Sequence, residues 1–121
     1  MAVVKLEKEN SVTYLLGDEE ILAAGFEKKE KTVIRISGAI KTMVAPCLNE
    51  IIKSAMNKNE EFILDFEKVT YIASAGLRVL LNMQQKIDEN DKPEVVISNV
   101  SDSVMEVFEQ TGFDNILSLE K

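Results

Sequence analysis

The chain is 121 residues long, enough for one hydrophobic core and one domain. Its 14 basic and 21 acidic residues leave a net charge of −7, which disfavours nucleic-acid backbones and anionic membrane surfaces as partners. Histidine is absent and Cys47 is the single cysteine, which excludes the usual zinc patterns, Ser-His-Asp and Cys-His nucleophilic systems and an internal disulfide.

No apolar run approaches the roughly 20 residues of a membrane span. The first residues lack the basic start and apolar block of a signal peptide, so a reducing, cytoplasmic setting is expected, with no membrane partner. The five glycines are scattered and form no phosphate-cradling loop. Together these facts point away from catalysis, and no cofactor or metal is expected.

In chain order, Val3–Leu6 and Val12–Leu16 flank Glu9-Asn10-Ser11 and predict a hairpin or an edge pair of strands. Asp18-Glu19-Glu20 reads as the start of a short helical turn leading into Ile21–Ala24. The β-branched run Thr32–Ile36, ended by Ser37-Gly38, predicts a strand. Thr42 is a candidate helix cap, and Pro46 is tolerated in a first turn. Leu48, Ile51, Ile52, Ala55 and Met56 then recur at helical spacing and form one apolar face.

Phe62-Ile63-Leu64 is a continuous apolar run, which predicts a strand covered on both faces. A turn at Glu67-Lys68 leads to Val69–Ile72. Ala73-Ser74-Ala75-Gly76 opens a second helix with Leu77, Leu80, Leu81, Gln84 and Ile87 along one side, ended by the polar stretch Asp88–Pro93. Val95–Ile97 predicts a strand. Ser101 or Asp102 is positioned to cap a third helix, whose inner face is Val104, Val107 and Phe108, with Gly112 as its stop. Asn115–Leu119 predicts a last strand. Strands alternating with helices imply an α/β domain with right-handed crossovers and a mostly parallel sheet of about four or five strands, plus the N-terminal strand or hairpin.

The stretch Asp65–Leu81, with Ala73-Ser74-Ala75-Gly76-Leu77-Arg78 at its centre, resembles the middle of STAS domains of the anti-sigma factor antagonist type. There an acidic-ended strand leads through an aromatic or Met to D-S-x-G-L and an apolar helix. Arg35–Ile40 resembles the family's second strand and its G-x-L/I turn. Val95–Val100 followed by Val104–Phe113 resembles its last strand-helix unit. The resemblance covers roughly residues 21–120, which places the domain at 21–121 and leaves 1–20 as an N-terminal extension.

That resemblance implies a partner-switching module that binds an anti-sigma factor, often a GHKL-type serine kinase. Any ATP would belong to that kinase. It also implies that Ser74 is the phosphoacceptor, and it puts Lys41, Thr42, Ala73, Ala75, Gly76 and Arg78 beside Ser74 on the partner-binding surface. A weak homodimer is compatible with it. The same features carry physical sense. A hydroxyl at a helix start sits where unpaired N–H groups point and an added anion is favoured. Ala75 and Gly76 let a partner backbone approach.

Two residues depart from the family. Ala73 stands where Asp usually precedes the serine, and Lys41 stands where Asp usually follows the G-x-L/I turn. Two carboxylates are thus missing and a cation is gained, with two opposed expectations: a phosphate at Ser74 is easier to hold, or contacts that a kinase uses to orient the hydroxyl are lost. A second reading is a STAS module without a phospho-switch, serving as a protein-interaction or small-ligand-binding subunit of a sensory assembly. A Ser-Lys hydrolase built on Ser74 and Lys41 would need a desolvated lysine and an oxyanion hole, for which no second motif exists.

Overall fold

The computed structural model describes residues 2–121. Three strands come first: β1 (Val3–Lys8), β2 (Ser11–Leu16) and β3 (Glu19–Lys28). Then follow β4 (Thr32–Ile40), a 3-10 turn (Thr42–Val44), α1 (Ala45–Met56), β5 (Phe62–Ile72) and α2 (Ser74–Asn90). The chain closes with β6 (Val96–Ser98), α3 (Asp102–Thr111), a second 3-10 turn (Phe113–Asn115) and β7 (Ser118–Leu119).

The seven strands form one sheet in chain order. β1 to β4 are antiparallel neighbours, whereas β4 to β7 are parallel. The parallel half is the α/β unit expected from alternating strands and helices. The expected hairpin is present as β1–β2, and β3 is one strand more than the sequence reading had placed.

The helical turn expected at Asp18–Glu20 is absent: those residues enter β3. Gly17 takes a φ of 65° and turns the chain between Leu16 and Glu19. A two-residue loop that opens on a positive-φ glycine suits the twist of a β-hairpin. The acidic run therefore starts a strand, in which Leu22 and Ala24 are buried and alternate with half-buried neighbours.

β5 also differs from expectation. It runs unbroken through Glu67-Lys68, where the Glu67 amide donates to the Asp65 carboxylate over 3.0 Å and the register against β4 shifts. Nor is Phe62-Ile63-Leu64 buried on both faces. Phe62 and Leu64 are buried, while Ile63 is half-buried beside Asp65. The Asp65 face carries Arg35, paired to Glu27 at 2.6 Å and to Asp65 at 3.7 Å.

The other face holds the core. Ile34, Ile36, Leu64, Phe66 and Ile97 are fully buried there beneath α1 and α2, which pack against each other. α1 buries Leu48, Ile51, Ile52 and Met56 as its spacing predicts. Thr42 does not cap it. Thr42 opens the 3-10 turn, Val44 is the cap residue, and Pro46 lies in the first turn. α2 continues through Asp88–Asn90 and stops at Asp91, which takes the left-handed conformation. Ser101 caps α3, accepting from the Val104 amide at 3.3 Å, and Gly112 (φ 77°) ends it. The last strand is shorter than expected, because Phe113–Asn115 forms the second 3-10 turn and only Ser118–Leu119 pairs with β6. No helix among the described residues is long and apolar enough to cross a membrane.

Candidate functional site

The parallel strands β4 and β5 end side by side, with Ile40 opposite Ile72. The chain leaves β4 through Lys41 and Thr42 and leaves β5 through Ala73 and Ser74. One bond joins the two exits: the Ala73 amide donates to the Ile40 carbonyl at 2.8 Å. Lys41, Thr42, Ala73 and Ser74 are thereby brought together, as the sequence reading proposed from widely separated positions.

Ser74 is the first residue of α2 and is exposed. It is not the cap. That position belongs to Ala73, whose backbone is extended (φ −86°, ψ 167°) and whose side chain has nothing to offer an amide. The first bond inside the helix runs from the Leu77 amide to the Ala73 carbonyl at 3.1 Å. The amides of Ser74, Ala75 and Gly76 therefore have no partner within the helix. They supply the positive end of the helix dipole next to an exposed hydroxyl.

No acidic residue occupies the first turn of α2. Lys41 and Arg78 are both exposed, and Arg78 lies one turn along the helix from Ser74 on the same side. The site is cationic within an acidic protein. Thr42, Ala75 and Arg78 also line a shallow groove of about 380 Å³ between α1 and α2, with Pro46, Asn49 and Asn82 along it.

Gly76 is placed differently from its neighbours. It is buried, and a β-carbon there would lie 2.7 Å from Ile40 Cγ2 and 2.9 Å from Ile72 Cγ1. Its place in the motif is to let α2 approach the strand ends. Leu77 and Leu80 are likewise core.

Two residues at this surface escaped sequence reasoning. Met43 is 47% exposed beside Thr42, and Tyr71 is 52% exposed two residues before Ala73. For Tyr71 the sequence signal is the aromatic that precedes the family's D-S-x-G-L motif, and Met43 has none.

A second depression, of about 520 Å³, lies between α1 and the strands β1 to β4. Tyr14 is at its base, 3% exposed, and its hydroxyl has no hydrogen-bond partner among the described residues. Burial raises the Tyr14 pKa. Glu7, Lys28, Lys58 and Glu60 stand around the opening.

An exposed serine opening a helix, packed through a glycine onto two parallel strand ends and ringed by small, cationic and apolar residues, defines a small α/β binding domain. The chain belongs to the STAS domain family, whose description matches residues 25–121.

The relatives it matches carry a consistent name. An anti-sigma-B factor antagonist of Staphylococcus aureus is 25% identical over 89 residues, 73% of this chain and 82% of that protein. A Bordetella bronchiseptica protein named as an anti-sigma factor antagonist is 32% identical over 82 residues, 67% of this chain and 70% of its own length. Among solved structures, an anti-sigma factor antagonist from Mycobacterium paratuberculosis superimposes with a TM-score of 0.69 at 22% identity, covering 82% of this chain and 85% of that one. The phosphorylated form of the Bacillus cell-fate determinant SpoIIAA superimposes with a TM-score of 0.57 at 19% identity, covering 81% and 91%. At these identities the structures establish the shared fold.

Proposed function

We propose that this protein is an anti-sigma factor antagonist: it binds an anti-sigma factor through the surface around Ser74, and phosphorylation of Ser74 releases that partner. The relatives named as such antagonists support the general role. The observation that carries the specific reading is the exposed Ser74 hydroxyl at the first position of α2, beside Lys41, Thr42, Ala75 and Arg78.

The switch is electrostatic and steric. In the bare state, small side chains at Ala73 and Ala75 let a partner approach. A phosphate on Ser74 adds nearly two negative charges and three acceptor oxygens. The open amides of α2, Lys41 and Arg78 hold it at the surface, so the domain keeps its fold while its docking face changes sign and shape. The partner is of the GHKL kinase type in this reading, and the kinase brings the ATP. The protein itself acts by binding. Lys41 is exposed, whereas a lysine base for Ser74 would have to be desolvated.

The test is phosphate transfer. The protein is incubated with ATP and the serine-kinase anti-sigma factor of its own cells, and Ser74→Ala is run in parallel. Phosphate on Ser74 of the wild type and none on the variant is the expected result. Transfer to another residue, or none, would refute the switch.

The depression over Tyr14 favours one other reading, a STAS module that takes a small ligand there. A library of small metabolites that raises the melting temperature of the wild type, with the gain lost in Phe26→Ala, would support it. A flat response would exclude it.

A further inference from the structure

The family match begins at residue 25, so β1, β2 and the start of β3 lie outside it. β1 forms one edge of the sheet and all six of its residues are exposed. Three of them are apolar: Val3, Val4 and Leu6, at 40%, 51% and 49% exposure. An edge strand offers a row of unpaired N–H and C=O groups, and natural edges are usually blunted by charge, proline or bulges. β1 carries charge, yet the order of its signs suits a second copy of itself.

Two copies related by a two-fold axis perpendicular to the sheet pair their edges antiparallel. Opposed side chains then share a face, so the axis must lie between one residue of β1 and its own symmetry mate. An axis at Lys5 or at Glu7 sets like charges directly opposite, which is destabilising. An axis at Val4 leaves Glu7 and Lys8 beyond the paired strand. An axis at Leu6 places Lys5 opposite the partner's Glu7, twice by symmetry, and Leu6 opposite Leu6 of the partner subunit. It also lays the aliphatic stem of the partner's Lys8 over Val4.

Lys5 is already held for this role. Its ammonium contacts the Glu50 carboxylate on α1 and the Glu7 carboxylate of its own strand at 2.7 Å, on the helix-bearing face. Val4 and Leu6 point to the other face, so the ionic and the apolar pairs fall on opposite sides of the joined sheet.

We propose that β1 is a self-association edge: two chains join antiparallel, centred on Leu6, into one continuous sheet with Lys5–Glu7 pairs on one face and Leu6–Leu6 contact on the other. β1 and β5 are four strand spacings apart, roughly 19 Å. The Ser74 surface stays free in the dimer, and this inference stands or falls independently of the proposed partner.

The experiment is sedimentation of the full chain over a concentration range, for wild type, Lys5→Glu, Glu7→Lys and an equimolar mixture of the two variants. Wild type should shift from monomer to dimer with concentration. Each variant alone should stay monomeric, because its two edge positions then carry like charges. The mixture should dimerise, because an acidic edge meets a basic one. In a separate arm, Leu6→Cys should form a disulfide-linked dimer on mild oxidation, since Cα atoms of opposed residues lie about 4.5–5.5 Å apart, and Val4→Cys should not. A wild type that stays monomeric, variants that dimerise as well as wild type, a mixture that stays monomeric, or equal crosslinking at Val4→Cys would each overturn the proposal.

Discussion

The Ala73 amide donates to the Ile40 carbonyl at 2.8 Å, and through this bond the end of one strand positions the start of the helix that follows the next. It sets Ser74 relative to Lys41 although the two lie far apart in sequence. It also leaves Ala73 as the cap residue of α2 with no cap to offer. The family's usual Asp at this position is thereby explained: an Asx side chain there would accept from an amide of the first turn.

Ala73→Asp should accordingly stabilise the domain by about 0.5–2 kcal/mol. Thermal unfolding by circular dichroism reads this as a rise in melting temperature. A fall would mean that the extended Ala73 backbone does not place a side chain for capping.

Gly76→Ala should cost about 1–3 kcal/mol, the range for forcing an extra carbon into a packed site. The new methyl meets the side chains of Ile40 and Ile72, which are both buried and have little room to move. Combining it with Ile72→Val deletes the Cδ1 that lies 3.4 Å from the new carbon and should recover part of the loss in urea denaturation. Equal stability of Gly76→Ala and wild type would show that α2 can lift without penalty.

These two positions show what was legible. The resemblance to the family's D-S-x-G-L pattern is what marks Ser74 and Gly76, because a serine at a helix start alone reads equally as a cap and a glycine two residues on as a packing residue. The period of α1 and the strand-helix alternation from Thr32 onward likewise predicted the parallel half. β3 was hidden for a physical reason. Asp18-Glu19-Glu20 has the charge of a helix start, and Ile21–Ala24 lacks the β-branched density of a strand. Only the φ of Gly17 and pairing on both sides decide the matter. The exposure of Met43 and Tyr71 was not legible, because whether an apolar side chain is covered depends on its neighbours in space.

Alkaline pH should weaken the fold through Tyr14. Burial raises its phenol above the ordinary value near 10, and the Glu50, Glu7 and Cys47 charges act in the same direction against the opposing charge of Lys5. A folded-state pKa above the unfolded one means stability fully present below about pH 10 and lost as pH rises beyond it. Tyr14→Phe, which also removes a buried hydroxyl without a partner, should match or exceed wild-type stability at pH 8 and fall less than wild type by pH 11. Parallel losses in both proteins would assign the alkaline effect to other groups.

Cys47 should be inert in the folded protein. It is 7% exposed on α1, and burial raises its thiol pKa, so little thiolate is available at neutral pH. Reaction with a disulfide reagent should be slow at pH 7.5 and become fast in urea. Rapid reaction without denaturant would show that α1 opens locally or that Cys47 serves as a sensor.

The central claim is tested most directly by the affinity of the protein for the anti-sigma factor of its own cells, measured by calorimetry for wild type, Ser74→Ala and Ser74→Asp. The account predicts tight binding by wild type and Ser74→Ala, and at least a tenfold loss for Ser74→Asp while its melting temperature stays within a few degrees of wild type. Equal binding by Ser74→Asp, or no binding by any of the three, would contradict it.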